Sequence, residues 1–432
     1  MKQLFVISCP IDTYSGYGAR SRDIALSVIN SDKYEVKIIP QRWGATPFGF
    51  LKAENPDHKK ILDSLLQTPQ LTRQPDIWMQ ITVPNEFQPV GKFNIGVTAG
   101  IETNMCDISW IDGCNRMNLN LVSSEHAKKV FQETKFQQIN NQTQRVERVV
   151  ELMAPIEVLF EGANTDIYKK IDEFKNIDLY DHIDSIPEDY AFLFVGHWLQ
   201  GDLNEDRKNV SGLIRIFLET FKNKGNNVPA LILKTQSVSP SVLDREEILN
   251  KIRAIQNLVG GKQPSIYLLH GDFSDEEINE LYNHPKIKTF VSFTKGEGFG
   301  RPLLESSVIQ KPILATNWSG HTDFLSQGYV TLLPGELTKV HPSAVVQNMI
   351  LPEAVWFTVS EKIAGHALED IFKNYKKYLE GAKRQAYRSR TTFSLEEMGK
   401  KLLSILEEKI PKQVQLKLPQ LKKIELPKLK TE

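Results

Sequence analysis

Cysteine is scarce in this chain: Cys9, Cys106 and Cys114 are the three in 432 residues, and no two of them form a C-x-x-C pair. An odd, scattered set gives no disulfide framework, and a reducing compartment is the simplest expectation. Nor is there an excess of charge of either sign, since 53 Lys and Arg balance 53 Asp and Glu. That balance removes any global electrostatic case for nucleic acid or an anionic membrane, while local patches stay open. Long apolar runs are missing too. The opening Met1-Lys-Gln-Leu-Phe-Val-Ile-Ser holds only four consecutive apolar residues, far below a secretory core or a membrane span. A cytoplasmic protein without a membrane span is therefore expected. No His/Cys group has metal-ligand spacing, so no metal site is expected either.

What is present is an enzyme-like composition, 41% hydrophobic and 25% charged, on a chain too long for one ordinary core. Apolar runs alternate with helical patterns. Leu4–Ile7, Tyr34–Ile39, Asp76–Thr82 and Phe93–Thr98 read as strands of a first unit, with a helix from Asp23 to Ile29 and another after the N-cap Ser124. A polar segment runs up to Pro187, and Tyr190–Gly196 opens a second series. There, helices at 210–221, 246–256 and 274–282 alternate with strands at 230–233 and 265–269, and helices at 361–380 and 394–409 finish the globule. Such alternation argues parallel sheets covered on both faces. We set domains at 1–184 and 185–410, with a Lys/Pro-rich tail at 411–432 that holds six lysines against two glutamates.

The most informative stretch is Thr294-Lys-Gly-Glu-Gly-Phe-Gly-Arg-Pro-Leu-Leu-Glu305. Thr289–Phe293 reads as a strand, Gly296, Gly298 and Gly300 as a loop, and Pro302 as the first turn of a helix. A strand that empties through glycines into a helix N-terminus offers unpaired N–H donors and a partial positive charge. That suits a phosphate or a sugar hydroxyl; close packing is the competing use of the glycines. Glu297 and Glu305 could both reach one bound ligand. Gly16 and Gly18 follow the first strand in a similar way, either facing a ligand or making a tight turn. The aromatic stretch 41–50 suits a sugar or base face, or covers a core edge.

Glu297-Gly-Phe-Gly-Arg-Pro-Leu-Leu-Glu305, followed by Lys311-Pro-Ile-Leu-Ala315, resembles the E-x7-E signature of the retaining GT-B glycosyltransferases of the large group-one family. The resemblance implies an α/β protein of GT-B type: two Rossmann-like domains with parallel sheets facing a deep cleft. It also implies that the first domain binds the acceptor, the second binds a UDP-, GDP- or ADP-sugar donor, and the last helix, 394–409, crosses back to the first domain. Glu297 would hold the transferred sugar and Glu305 the ribose hydroxyls. Asp206-Arg207-Lys208-Asn209 is similar to the family's D/E-x-x-R-K-G string, with asparagine where glycine is usual. Arg207 and Lys208, with the N–H groups of Phe299, Gly300 and Arg301, would clamp the diphosphate, and Gly298 would line the same loop. No cofactor beyond the donor and no metal is then implied, since no D-x-D sits at a strand end. Glu102, His126 and His197 stand near positions of interest without matching the motif residue by residue.

The acceptor stays open between a glycan, a small molecule and a modified DNA base. Over residues 1–184 there are 20 Lys/Arg against 24 Asp/Glu, a poor platform for duplex DNA. A looser likeness of residues 83–129 to glycosyltransferases of tailed bacteriophages keeps a hydroxymethyl-pyrimidine as an alternative. A GT-B phosphorylase or epimerase and a non-catalytic binding protein that kept the fold are the remaining alternatives. The oligomeric state is not readable from the sequence.

Overall fold

The computed structural model describes residues 2–68, 70–140, 142–237 and 240–411. Residues 412–432, nearly all of the expected Lys/Pro-rich tail, lie outside the described residues. The strands are β1 (Gln3–Cys9), β2 (Tyr34–Pro40), β3 (Ile77–Ile81), β4 (Phe93–Val97), β5 (Leu119–Val122), β6 (Phe136–Ile139), β7 (Val146–Val150) and β8 (Ile156–Val158), then β9 (Ala191–Val195), β10 (Ala230–Lys234), β11 (Ile266–Leu269), β12 (Ile287–Ser292), β13 (Ile313–Thr316), β14 (Thr331–Leu333), β15 (Gly335–Lys339) and β16 (Val355–Val359).

Two six-stranded sheets carry the fold, in the orders β2-β1-β3-β4-β5-β8 and β11-β10-β9-β12-β13-β14. Every pairing within them is parallel. Parallel strands need helical crossovers that cover both faces, which is why β3 and β10 are buried along their whole length. The strand order reverses beside β1 in one sheet and beside β9 in the other. In such sheets ligands bind outside the carboxyl ends of the strands at these reversals. The loops leaving β1, β9 and β12 are therefore where a site is expected. β6 with β7 and β15 with β16 form separate antiparallel hairpins.

The chain crosses between the sheets twice. Leu159 belongs to the first sheet's core, whereas Ala163, Tyr168, Leu179, Ile183 and Ile186 pack in the core of the second. The crossing thus lies near residue 161, earlier than the expected boundary at 184, because Ile177–Asp184 forms a helix whose apolar side docks on Asp275–Asn283. The return runs through Phe393–Leu395. There Ala163 N–H donates to Phe393 O at 2.9 Å and Leu395 N–H donates to Ala163 O at 2.8 Å, so the crossings are stitched side by side. Helix Leu395–Lys409 then buries Met398, Leu402 and Leu406 in the first core.

Two helices differ from the sequence expectation. The helix expected at 361–380 is two, Glu361–Lys373 and Tyr375–Thr392, separated at Asn374. The first glycine loop is helical: Ser15 accepts from Gly18 N–H as N-cap, and helix Gly16–Asn30 includes both glycines. Its opening turns lack apolar periodicity because buried Arg20 and Arg22 donate to backbone carbonyls, Arg20 to Phe160 O at 2.7 Å and Arg22 to Ile11 O at 3.0 Å.

Candidate active site

A cleft of about 470 Å³ opens where the carboxyl ends of the two sheets face each other. Its second-sheet wall is built by the loops after β9 and β12. Asn209 ends the first of these with φ +51, the left-handed region that glycine or asparagine adopts most readily, which accounts for asparagine at this position. Asp206, buried, caps the following helix Val210–Phe221 by accepting from Val210 N–H at 2.8 Å. Arg207 and Lys208 are thereby left to point at the neighbouring loop. Lys295 N–H donates to Arg207 O at 2.8 Å and locks the two loops together.

Glu297 sits between the two cations. Lys208 Nζ lies 2.5 Å from Glu297 Oε1, Arg207 Nη1 lies 3.6 Å from Glu297 Oε2, and Arg207 Nη1 also lies 3.7 Å from Glu102 Oε1. Burial alone would raise the Glu297 carboxyl, but Lys208 and Arg207 outweigh it and hold the group at about 2. Glu297 is thus ionised at neutral pH and a weak base. Glu305 is the reverse case. Burial pushes its carboxyl up to about 7, opposed by Arg301 and reinforced by Asp275, Asp23 and Glu161.

Arg301 is more than a backbone donor. Its Nη1 lies 2.7 Å from Asp23 on the first sheet's helix and 3.5 Å from Glu161 at the crossing, and its Nε lies 3.5 Å from Glu305. The side chain ties the two halves of the molecule together. Its helix, Arg301–Val308, starts on Gly300 at φ +102 without a side-chain cap; Pro302 has no N–H and the Leu303 and Leu304 N–H groups turn back to Gly300 O, which leaves the N–H groups of Gly300 and Arg301, two residues that line the cleft, at the helix start for a ligand. The Phe299 ring is core, 4.9 Å from Phe324; only its backbone is placed for a ligand.

The glycines divide by role. A Cβ on Gly296 would fall 1.9 Å from Glu102 O, and one on Gly298 would fall 2.4 Å from Ala99 O. These two let the β12 loop lie against the β4 loop of the first sheet, and from the end of β5 Ser123 Oγ donates to Gly298 O at 3.0 Å. Gly16 lines the cleft with open space around it, while Gly18 packs against Thr13 and does not. Close packing, the competing use of glycine, therefore holds for Gly18, Gly296 and Gly298.

Glu102 joins the site through Arg207, and His197 lines the cleft with Nδ1 2.8 Å from Ser237 O. His126 does not line it: its ring stands edge-on to Trp318 at 4.7 Å, its Nε2 is 3.2 Å from Thr103 O, and burial lowers it to about 4. Three further cleft residues complete the wall: Lys234 and Gln236, which the sequence analysis did not single out, and Trp43, from the aromatic stretch 41–50 read there as a sugar or base face. Lys234 donates to Gly271 O at 2.7 Å with burial lowering it to about 8, Trp43 stacks on Tyr17, and Gln236 donates to Asp272 at 2.8 Å. Lys234 ends an otherwise apolar strand, and a lysine at that position was the one available clue.

Solved structures share this architecture over almost the whole chain. Sucrose-phosphate synthase from Thermosynechococcus elongatus matches at TM-score 0.61 and 10% identity, covering 94% of this chain and 99% of that one. A glycosyltransferase from Rickettsia africae matches at TM-score 0.60 and 12% identity, covering 95% and 100%. HepE from Anabaena, in complex with UDP and glucose, matches at TM-score 0.57 and 12% identity, covering 94% and 100%. The fold is GT-B. At these identities the likeness concerns the fold alone. The sequence matches no family model and none of the curated proteins compared with it. In this GT-B chain, no helix among the described residues is long and apolar enough to cross a membrane.

Proposed function

We propose that this GT-B protein transfers a sugar from a nucleotide-diphosphate sugar to an acceptor hydroxyl with retention of configuration. The observation that carries this reading is the meeting of Arg207, Lys208, Glu297 and the uncapped N-terminus of helix Arg301–Val308 at the strand-order reversal of the second sheet. HepE, of the same fold, was solved with UDP-glucose, which is consistent with a donor of this class.

In this reading the bond from the anomeric carbon to the phosphate oxygen breaks, and a bond from the acceptor oxygen forms on the same face. The acceptor proton passes to the departing phosphate, so no protein nucleophile is needed. Negative charge grows on the diphosphate. Arg207, Lys208 and the helix N-terminus meet it, in a setting where preorganised donors act strongly. We infer that these cations replace a metal ion. The diphosphate would compete with Glu297 for Lys208, freeing the carboxylate to accept from hydroxyls of the transferred sugar. Held near 2, Glu297 suits hydrogen-bond acceptance and positioning, not proton abstraction at neutral pH. Glu305 would take the ribose hydroxyls.

A panel of UDP-, GDP- and ADP-sugars tests the reading by thermal shift and by release of the nucleotide. A donor present at 100 times its Kd is expected to stabilise the protein by about 2.7 kcal/mol. Absence of any shift and of any nucleotide release across the panel would reject glycosyl transfer.

A further inference from the structure

On the first-sheet wall of the cleft, one indole ring is stacked through one face, and no ring or cation among the described residues takes its other face. Trp43, half-buried on the irregular stretch after β2, stacks on Tyr17 with ring centroids 3.9 Å apart and planes at 23°. Tyr17 is itself fixed. Its hydroxyl accepts from Ala99 N–H at 3.1 Å and pairs with Thr98 Oγ1 at 2.8 Å. Ala99 in turn abuts Gly298, the neighbour of Glu297. Trp43 is thus held by a short relay of contacts from the catalytic loop, and it lines the cleft together with Glu102. The other rings nearby are engaged: Phe50 lies under the Arg22 guanidinium at 3.5 Å and edge-on to Tyr14 at 5.2 Å.

We propose that Trp43 and Glu102 form an acceptor subsite for a neutral sugar ring. An indole face against the apolar C–H face of a pyranose, with a carboxylate at the rim to accept from its hydroxyls, is the chemistry this wall offers. The cations of the cleft that the transfer reading uses, Arg207 and Lys208, stand on the second-sheet wall, and Glu102 on the first-sheet wall would repel a phosphate set beside Trp43, so a neutral glycan fits this wall better than a nucleic acid strand. The inference rests on the glycosyl-transfer reading above and names its acceptor class.

Saturation-transfer NMR with the methyl glycosides of glucose, galactose, mannose and N-acetylglucosamine tests it, alongside calorimetry with UDP-glucose and GDP-mannose. At least one glycoside is expected to receive saturation on its face C–H protons. Trp43→Ala is expected to weaken that binding roughly tenfold, the equivalent of about 1.4 kcal/mol, while Trp43→Phe retains part of it. Nucleotide-sugar affinity in Trp43→Ala should match the wild type, which also shows that the cleft is still folded. Equal glycoside binding by wild type and Trp43→Ala, or no binding of any of the four glycosides, overturns the subsite. So does binding of a single-stranded oligonucleotide that depends on Trp43. Failure of the wild type to bind any nucleotide sugar would instead overturn the parent reading, whatever the glycosides do.

Discussion

Lys208 Nζ lies 2.5 Å from Glu297 Oε1, joining the loops after β9 and β12 through a buried ion pair. Removing one partner of such a pair strands the other charge, at a cost of about 3–5 kcal/mol. Glu297→Gln is therefore expected to lower both the melting temperature and turnover. The stability loss should shrink when a nucleoside diphosphate is added, because the phosphates supply Lys208 and Arg207 with a new anion. Melting curves with and without UDP and GDP check this; a loss untouched by either nucleotide would contradict the shared site.

The two acidic residues of the signature predict opposite pH behaviour. Glu297 is depressed to about 2, so its contribution is present above the ordinary value of 4.5 and is lost as pH falls toward 2. Glu305 is raised to about 7, so the folded state holds a proton that the unfolded chain has released. Stability should fall as pH rises from about 4.5 to about 7, by roughly 3 kcal/mol from this group. Glu305→Gln is expected to flatten that fall. Asp23→Asn removes a negative charge and leaves Arg301 freer for Glu305, so it should move the window to lower pH. Melting temperature against pH for the three proteins measures both effects.

Alanine at four glycines separates packing from ligand contact. Gly296→Ala and Gly298→Ala would drive a Cβ into the backbone of Glu102 and Ala99, neighbours that cannot swing aside. Each is expected to destabilise by about 1–3 kcal/mol. Gly18→Ala meets Thr13 O at 2.4 Å and should behave alike, whereas Gly16→Ala meets nothing and should stay within about 0.5 kcal/mol of the wild type. Chemical denaturation of the four variants ranks them; a costly Gly16→Ala would contradict the open space around it.

The paired variant Arg207→Ala/Lys208→Ala is expected to lose donor affinity and rate together. It also leaves Glu297 buried without a cation, so its carboxyl should rise from about 2 toward neutrality. Wild-type transfer should survive EDTA. Loss of activity in EDTA with rescue by Mg²⁺ or Mn²⁺ would assign charge neutralisation to a metal instead.

Local patterns made much of the fold legible. The helix read at 274–282 starts in the structure on a reciprocal capping box between Ser274 and Glu277. The strands around β9, β10 and β12 announced themselves as apolar runs because both faces of each sheet are covered. Arg207 and Lys208 could be placed beside Glu297 only through the motif, since 89 residues separate Lys208 from its partner. Arg301 with Asp23, 278 residues apart, had no local signature at all. Nor did the polar opening of helix Gly16–Asn30, where buried arginines replace the apolar stripe by which a helix is normally read. Glu305 was found by its spacing, but its raised pKa depends on burial and on three acidic neighbours brought in from distant parts of the chain.

The stitching of Ala163 between Phe393 and Leu395 restricts how the molecule can open. Two independent connectors would let the halves slide, twist or separate, each with its own slack. Here the connectors share main-chain hydrogen bonds, and Gly162 brings them so close that a Cβ would touch Leu395 Cα at 2.4 Å. They act as one pivot. Arg301 sits beside this joint, 3.5 Å from Glu161, while Asn104 N–H to Val355 O and Glu125 N–H to Asp323 bridge the halves elsewhere. Admission of substrate and departure of product would then share a single angular coordinate, resisted by the polar contacts that bridge the two halves.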